Sequence, residues 1–152
     1  MGHREPFHLE YIAIGNEEVG EAFFERYPLF HKAIKEKYPD IKIINTASPF
    51  AAGGEYERGW KSARENHSDL IDEHYYMPPQ WFLEHNDFYD NYPRDIKVFA
   101  GEYAAHDPEI DRPCAYIRLS LCLPSALQRG VFFGLQSVIS RTRCSMAVCF
   151  AW

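Results

Sequence analysis

Several sequence features are missing from this chain of 152 residues, and each absence argues against a class of protein. No apolar run approaches the roughly 18–20 residues of a membrane-spanning helix. No Gly-x-Gly-x-x-Gly string follows an apolar run, which disfavours a dinucleotide-binding fold. The seven histidines lack H-x-x-x-H and H-E-x-x-H spacing, and the four cysteines lack a C-x-x-C pair. We therefore predict no metal site and no cofactor.

Negative charge is missing from one end of the chain, although the net charge is −6. All 22 acidic residues lie before Arg112, whereas residues 112–152 hold five arginines and all four cysteines but no lysine or histidine. The acidic body argues against nucleic-acid binding. The change in composition predicts one domain over residues 1–111, followed by a tail that is a different module or is not under selection for the same fold.

The first residues lack the apolar segment of a secretory signal, so we predict none in this chain. If the chain is a piece of a longer protein, the parent's location stays open among cytoplasm, periplasm and exterior. The oligomeric state also stays open, with a homo-oligomeric parent as one alternative.

Four strand-like runs start near residues 10, 41, 69 and 97, with helical apolar spacing between them. A period of about thirty residues is typical of a βα unit, and successive units predict a parallel sheet in an α/β fold. The predicted strands are residues 10–15, 41–47, 69–76 and 97–103, and the predicted helices are about 18–38, 55–66 and 79–91. Pro28 predicts a kink or a split in the first helix.

Polar side chains gather where these strands end, and two of them are glutamates. The set comprises Asn16, Glu17, Asn45, Ser48, His74, Tyr76, Glu102 and Tyr103. The carboxyl ends of barrel strands carry active sites, and strands three apart face each other across the mouth. Two carboxylates roughly 5–5.5 Å apart are the equipment of a retaining glycosidase. A single strand-end glutamate would be an ordinary surface residue, so the prediction depends on the pair.

About residues 1–111 resemble the α-L-arabinofuranosidases of glycoside hydrolase family 51. The resemblance implies strands four to seven of a (β/α)₈ TIM barrel, about four βα units. The motifs that carry it, in order and with fitting spacing, include Gly15-Asn16-Glu17, Asp72-Glu73-His74-Tyr75-Tyr76 and Gly101-Glu102-Tyr103-Ala104.

The resemblance also implies an activity and a role for each matching residue. It implies a retaining mechanism that removes terminal arabinofuranosyl units from arabinose-containing hemicellulose or pectin. The implied roles are acid/base for Glu17, nucleophile for Glu102, contact with the sugar 2-hydroxyl for Asn16, a place beside the nucleophile for Tyr76 and support of the site for His74.

Two departures leave alternatives open. The family's other barrel strands and its C-terminal β-sandwich have no counterpart here, so we expect almost no activity from the isolated chain. The resemblance stops near Asp111, and our hypothesis is that residues 112–152 are an out-of-frame or intron-derived continuation. The alternatives are a catalytically inactive half-barrel and another retaining (β/α)₈ glycosidase.

Overall fold

A computed structural model describes residues 9–85, 87–107, 112–113 and 132–133, and its centre is a parallel sheet. Four strands lie side by side in chain order: β1 Tyr11–Ala13, β2 Lys42–Thr46, β3 Leu70–Met77 and β4 Lys97–Asp107. Three helices connect them: α1 Glu21–Lys37, α2 Gly54–Glu65 and α3 Pro79–Glu84. The predicted parallel βα alternation is confirmed.

Two further strands of two residues each pair with β4. Strand β5, Arg112–Pro113, is antiparallel to it, and β6, Phe132–Phe133, is parallel to it. The predicted boundary near residue 111 and most of the predicted tail lie outside the described residues, so the division into 1–111 and 112–152 stays a prediction.

The apolar core lies between the sheet and its helices. One cluster joins Trp60 of α2 to Ile71 of β3 and Val98 of β4, and a second joins Tyr27 of α1 to Ile43 of β2. Each of these side chains is at most 5% exposed, and burial of one large apolar side chain contributes about 1.5–3 kcal/mol. Because these buried side chains point toward the helices, the alternate residues of each strand point away from them.

Helix α1 continues through Pro28, so the predicted split of this helix is wrong. Proline inside a helix removes one backbone hydrogen bond and costs about 3 kcal/mol. Phe24 and Tyr27 are buried on this helix, and the Tyr27 hydroxyl bonds to Ser68 Oγ at 3.0 Å. Burial of two aromatic rings on adjacent turns outweighs the cost of the proline.

Helix α3 ends at Glu84, seven residues before the predicted end. His85 adopts a non-helical conformation, and its Nδ1 lies 2.8 Å from the carbonyl oxygen of Trp81. The chain then continues through turns in which a backbone amide donates to the carbonyl oxygen three residues earlier, as Phe88 N does to His85 O. No helix in the described part of the chain is long and apolar enough to cross a bilayer.

The parallel register brings the carboxyl ends of the strands to one edge of the sheet. Tyr11 pairs with Lys42, Ile44 pairs with Leu70, and Ile71 pairs with Val98. Strands in a flat sheet lie about 4.8 Å apart, which would separate β1 from β4 by about 14 Å. Side chains that follow β1 and belong to β4 nevertheless meet, as shown below, so the four strands curl into a half-barrel.

Candidate active site

The loop that follows β1 presents Glu17 in a left-handed backbone conformation. Gly15 has φ 85°, and Glu17 itself has φ 55°. A Cβ on Gly15 would meet Glu18 Cγ at 2.7 Å and the Phe23 ring at 3.0 Å, so this position requires glycine. A left-handed non-glycine residue costs about 1–3 kcal/mol and is often found at functional sites.

His74 is the buried centre of the site. Its side chain is 1% exposed, and it lies on β3 on the face opposite to Glu73 and Tyr75. Nδ1 lies 3.0 Å from Glu17 Oε1, and Nε2 lies 3.1 Å from Asp72 Oδ2. The imidazole therefore joins a carboxylate from the loop after β1 to a carboxylate on its own strand.

Glu102 of β4 completes the group from the other side. Its Oε2 accepts a hydrogen bond from the Tyr76 hydroxyl at 2.6 Å and lies 3.8 Å from His74 Nδ1. One ligand atom from each of Glu17, His74 and Glu102 lies within 4.8 Å of the others. The two glutamates remain partly open to solvent, at 36% and 31% exposure, as groups that react with a ligand must be.

A bulge in β4 determines which residue faces His74. Asp72 pairs with Phe99, but His74 pairs with Glu102, so β4 carries one extra residue over this interval. Within the bulge, the Gly101 amide donates to Asp72 Oδ1 at 2.8 Å. A Cβ on Gly101 would lie 2.3 Å from that oxygen, so glycine permits the approach.

The electrostatics of His74 follow from these contacts. Burial alone would lower its pKa, but the hydrogen bonds to Asp72 and Glu17 and the charges of Asp72 and Glu102 raise the pKa to about 9. The imidazole is therefore cationic at neutral pH, and it offsets part of the repulsion among the three carboxylates.

A second polar cluster lies behind the site, on the helix side of β3. The carboxyl group of Glu73 is 1% exposed and is surrounded by hydrogen-bond donors from side chains. They are Tyr56, Trp60, Tyr75, Tyr89 and Tyr92. Burial raises the pKa of Glu73, and the hydrogen bonds offset part of that rise. This cluster anchors β3 from behind, so the position of His74 is supported from both faces of the strand.

The structure brings together four of the five predicted site residues, namely Glu17, His74, Tyr76 and Glu102. Asn16, the fifth, is exposed and lies directly before Glu17 in the same loop. Their individual roles stay predictions.

The other strand-end residues lie elsewhere. Asn45 is buried toward α2, where its Nδ2 lies 3.4 Å from both Ser62 Oγ and Ser68 Oγ. Ser48 is buried with φ 94°, and its Oγ accepts from the Phe50 amide. Tyr103 packs against the apolar cluster of Trp60 and Val98.

Sequence reasoning missed Asp72 as a member of the site. The available signal was its position two residues before His74, since alternate residues of a strand share a face. It also missed that Glu17, His74 and Glu102 offer a carboxylate–imidazole–carboxylate donor set, because their separations of 57 and 28 residues form no metal-binding motif. The prediction of no metal stays a prediction.

A surface cavity of about 450 Å³ lies at the opposite end of the strands, lined by Leu9, Tyr38, Ile41 and neighbouring residues. It contains none of the predicted site residues, so we assign the candidate site by the carboxylate geometry and not by the size of a cavity.

Two glutamates close together at the carboxyl ends of parallel strands define the class of site found in retaining glycoside hydrolases. A family model described as the alpha-L-arabinofuranosidase 1 domain matches residues 1–94. The chain belongs to this family, that of the α-L-arabinofuranosidases of glycoside hydrolase family 51.

Similar proteins support the family assignment and are much longer than this chain. An extracellular exo-α-L-arabinofuranosidase of Streptomyces chartreusis is 46% identical over 107 residues, which are 69% of this chain and 13% of that protein. Alpha-L-arabinofuranosidase 2 of Arabidopsis thaliana is 38% identical over 109 residues, 70% of this chain and 14% of that protein.

A solved structure shares both sequence and fold. The arabinose-bound MgGH51 α-L-arabinofuranosidase is 31% identical with a TM-score of 0.51, over 68% of this chain and 16% of that one. The curled parallel sheet with its helices is therefore the α/β half-barrel arrangement of that neighbour. The chain spans about one seventh of the curated relatives named here.

Proposed function

We propose that this chain supplies the catalytic pair of a retaining α-L-arabinofuranosidase, with Glu17 as general acid/base and Glu102 as nucleophile. The single observation that carries the proposal is that both glutamates approach the same nitrogen of His74, Nδ1, with one oxygen of each within 4.8 Å of the other. A separation of about 5–5.5 Å is typical of retaining enzymes, whereas inverting enzymes leave about 6.5–9.5 Å for a water molecule.

The contacts of the two glutamates favour different catalytic roles. The Tyr76 hydroxyl donates to Glu102 and the positively charged His74 ring lies beside it, so a nucleophile at this position has a hydrogen-bond donor and a cation as its neighbours. Glu17 lies 3.0 Å from Nδ1 of the cationic His74 ring, which donates to the carboxylate and can pass it the proton that a general acid delivers.

The reaction would proceed in two balanced steps. In the first, a Glu102 oxygen forms a bond to the anomeric carbon while the glycosidic bond breaks and Glu17 gives its proton to the leaving oxygen. In the second, Glu17 takes a proton from water, the water oxygen attacks the anomeric carbon, and Glu102 leaves as a carboxylate. Each group returns to its starting state, and no metal or cofactor is needed.

The finer assignments belong to the same proposal. We assign β1 to β4 to strands four to seven of the family's (β/α)₈ barrel, with residues 112–152 as an atypical tail. We assign Asn16 to the sugar 2-hydroxyl, and arabinose-containing hemicellulose or pectin as the substrate. These are supported by the match to the family model, by the names of the relatives and by the exposed position of Asn16 beside Glu17.

A chimera tests the proposal without requiring the isolated chain to be active. The matched segment of the Streptomyces chartreusis enzyme is replaced by the matching residues of this chain, and the purified protein is assayed on an aryl α-L-arabinofuranoside. We expect turnover, with a loss of at least about 10³-fold in Glu102→Gln. The matched control is Glu84→Gln, an exposed glutamate at the end of α3, which we expect to leave turnover unchanged.

Azide separates the two roles. In Glu17→Ala, azide can attack the glycosyl-enzyme and yields an α-arabinosyl azide; in Glu102→Ala, it attacks the substrate directly and yields the β-anomer. A folded chimera with no activity, or an active one in which Glu102→Gln retains full turnover, would contradict the proposal.

A further inference from the structure

We propose that Asp72 is the positioning residue that holds both glutamates of the pair, Glu17 through the His74 ring and Glu102 through the backbone of Gly101. This inference rests on the proposed function, because it assigns the residue that organises the same site. The side-chain hydrogen bonds of Asp72 go to His74 and Gly101 and not to either glutamate, so its role is positional.

The hydrogen bond between Asp72 and His74 determines which nitrogen of the ring shares a proton with Glu17. Asp72 Oδ2 lies 3.1 Å from His74 Nε2, and a carboxylate at this distance keeps a hydrogen on that nitrogen. Nδ1 is then left to share a single proton with Glu17 Oε1 across 3.0 Å. Without Asp72, the neutral ring would be free to carry its hydrogen on Nδ1 and could no longer accept one from Glu17.

The second contact stabilises the bulge that aims Glu102. The extra residue of a bulge interrupts the regular hydrogen-bond ladder and leaves a backbone amide in need of another acceptor. Asp72 Oδ1 accepts the Gly101 amide at 2.8 Å and fills that need. Because the register shift places Glu102 opposite His74, the same carboxylate that orients the ring also stabilises the backbone directly before the nucleophile.

Asparagine at position 72 cannot satisfy both contacts. Its single carbonyl oxygen can accept from Gly101 or from His74, and its amide nitrogen then presents a donor to the other N–H group. Asp72→Asn has nearly the same size, so it tests the two hydrogen bonds and not the packing. The groups with charge that face His74 are Asp72 from β3, Glu17 from the loop after β1 and Glu102 from β4.

Nitrogen-15 NMR of the histidine rings tests the first contact in the 152-residue chain, without any assay of activity. We expect His74 to titrate near pH 9 and its neutral form to carry the hydrogen on Nε2. In Asp72→Asn we expect the midpoint to fall by about one pH unit or more, because an anionic partner is lost. The matched control is Asp95→Asn, at an exposed ion pair with Arg64, which we expect to leave the titration unchanged.

Gly101→Ala provides a second variant that keeps the Asp72 carboxylate but displaces it, because the new Cβ would lie 2.3 Å from Oδ1. We expect its His74 midpoint to fall in the same direction as in Asp72→Asn. If Asp72→Asn does not fold, Gly101→Ala and the wild-type titration still decide the matter. A neutral wild-type ring with its hydrogen on Nδ1, or midpoints that match wild type in both variants, would overturn the proposal.

The chimera described above links the position of Asp72 to catalysis. We expect Asp72→Asn to lower kcat by about 10–100-fold with KM changed far less, since the residue orients reacting groups without touching the sugar. Asp95→Asn should retain full kcat. A chimera inactive with the wild-type segment would count against the proposed function alone, because the ring titration tests Asp72 independently. Full kcat in Asp72→Asn would overturn the positioning role.

Discussion

The Tyr76 hydroxyl donates a hydrogen bond to Glu102 Oε2 across 2.6 Å, although 26 residues separate them in the chain. The bond runs diagonally between β3 and β4, because Tyr76 pairs in register with Ala104 and His74 pairs with Glu102. The contact with the His74 ring falls on the same oxygen. We therefore expect the other oxygen, Oε1, to form the bond to the sugar.

Removal of the Tyr76 hydroxyl should slow turnover, because it takes away the hydrogen bond to Glu102. A hydrogen bond to a charged group contributes about 1.5–3 kcal/mol, so we expect Tyr76→Phe to lower kcat/KM by about 10–100-fold in the chimera. Tyr38→Phe, at an exposed ring far from the site, is the control. An unchanged kcat/KM in Tyr76→Phe would show that the hydrogen bond to Glu102 does not contribute to turnover.

His74 should stabilise the fold in a pH-dependent manner. Its folded pKa of about 9 lies above its ordinary value of 6.5, so the folded state keeps a proton that the unfolded chain releases. The contribution is complete below pH 6.5 and is lost as the pH rises through 9. Relative to His74→Gln, we expect a wild-type advantage in unfolding free energy of up to about 3 kcal/mol at pH 6, declining toward pH 9. Urea unfolding at several pH values measures this difference in unfolding free energy. A difference that does not change with pH would contradict the assignment of an extra proton to folded His74.

Gly15 and Gly20 form a matched pair in the loop that carries Glu17. Both have positive φ, 85° and 83°, but a Cβ on Gly15 would contact Glu18 and Phe23, whereas one on Gly20 would meet nothing within 4 Å. We expect Gly20→Ala to cost about 1–3 kcal/mol of unfolding free energy from backbone strain alone, because φ 83° with ψ 150° is a region that glycine almost alone adopts. Gly15→Ala should cost at least about 1 kcal/mol more. Equal costs in chemical denaturation would show that the loop rearranges freely.

The buried site of Glu73 should require a hydrogen-bond acceptor more than it requires a negative charge. Glu73→Gln keeps a carbonyl oxygen for Trp60, while the tyrosine hydroxyls can rotate to accept from the new amide, so we expect a loss of about 1 kcal/mol or less. Glu73→Ala leaves buried donors without an acceptor and should cost about 3 kcal/mol or more.

The stability that Glu73 contributes should change with pH in one direction. Since burial raises the pKa of Glu73, the wild-type advantage over Glu73→Gln should be greatest below pH 4.5 and should fall as the pH rises. An advantage that grows with pH would show that the carboxyl group is held ionised.

The sequence predicted the fold where local patterns determine it. Apolar runs thirty residues apart predicted the parallel strands, and the shared carboxyl edge of such strands brought together Glu17, His74 and Glu102. Helix α1 was predicted to kink or split at Pro28, and the split is wrong because the local rule carries no information on how firmly Phe24 and Tyr27 pack.

The missed parts of the site depend on geometry between strands. A bulge in β4 decides that Glu102 and not Gly101 faces His74. Gly101 is a local sign of a bulge, but a glycine within a strand does not by itself determine the register of pairing. Asn45 lies near the carboxyl end of β2, but its side chain points to Ser62 of α2 and to Ser68, away from the site. The directions of the Glu102 and Asn45 side chains depend on which face of each strand is buried. The strand's own sequence leaves this open where both faces carry polar residues.

The most direct test of the central claim is a search for a sugar bound to Glu102. The chimera with Glu17→Ala is mixed with a 2,4-dinitrophenyl α-L-arabinofuranoside, whose leaving group needs no acid, and is quenched and digested with pepsin for mass spectrometry. Without its base the second step is slow, so we predict a peptide that carries one arabinosyl unit on Glu102. A unit on another residue, or rapid turnover with no labelled peptide, would contradict the assignment of Glu102 as nucleophile and Glu17 as acid/base.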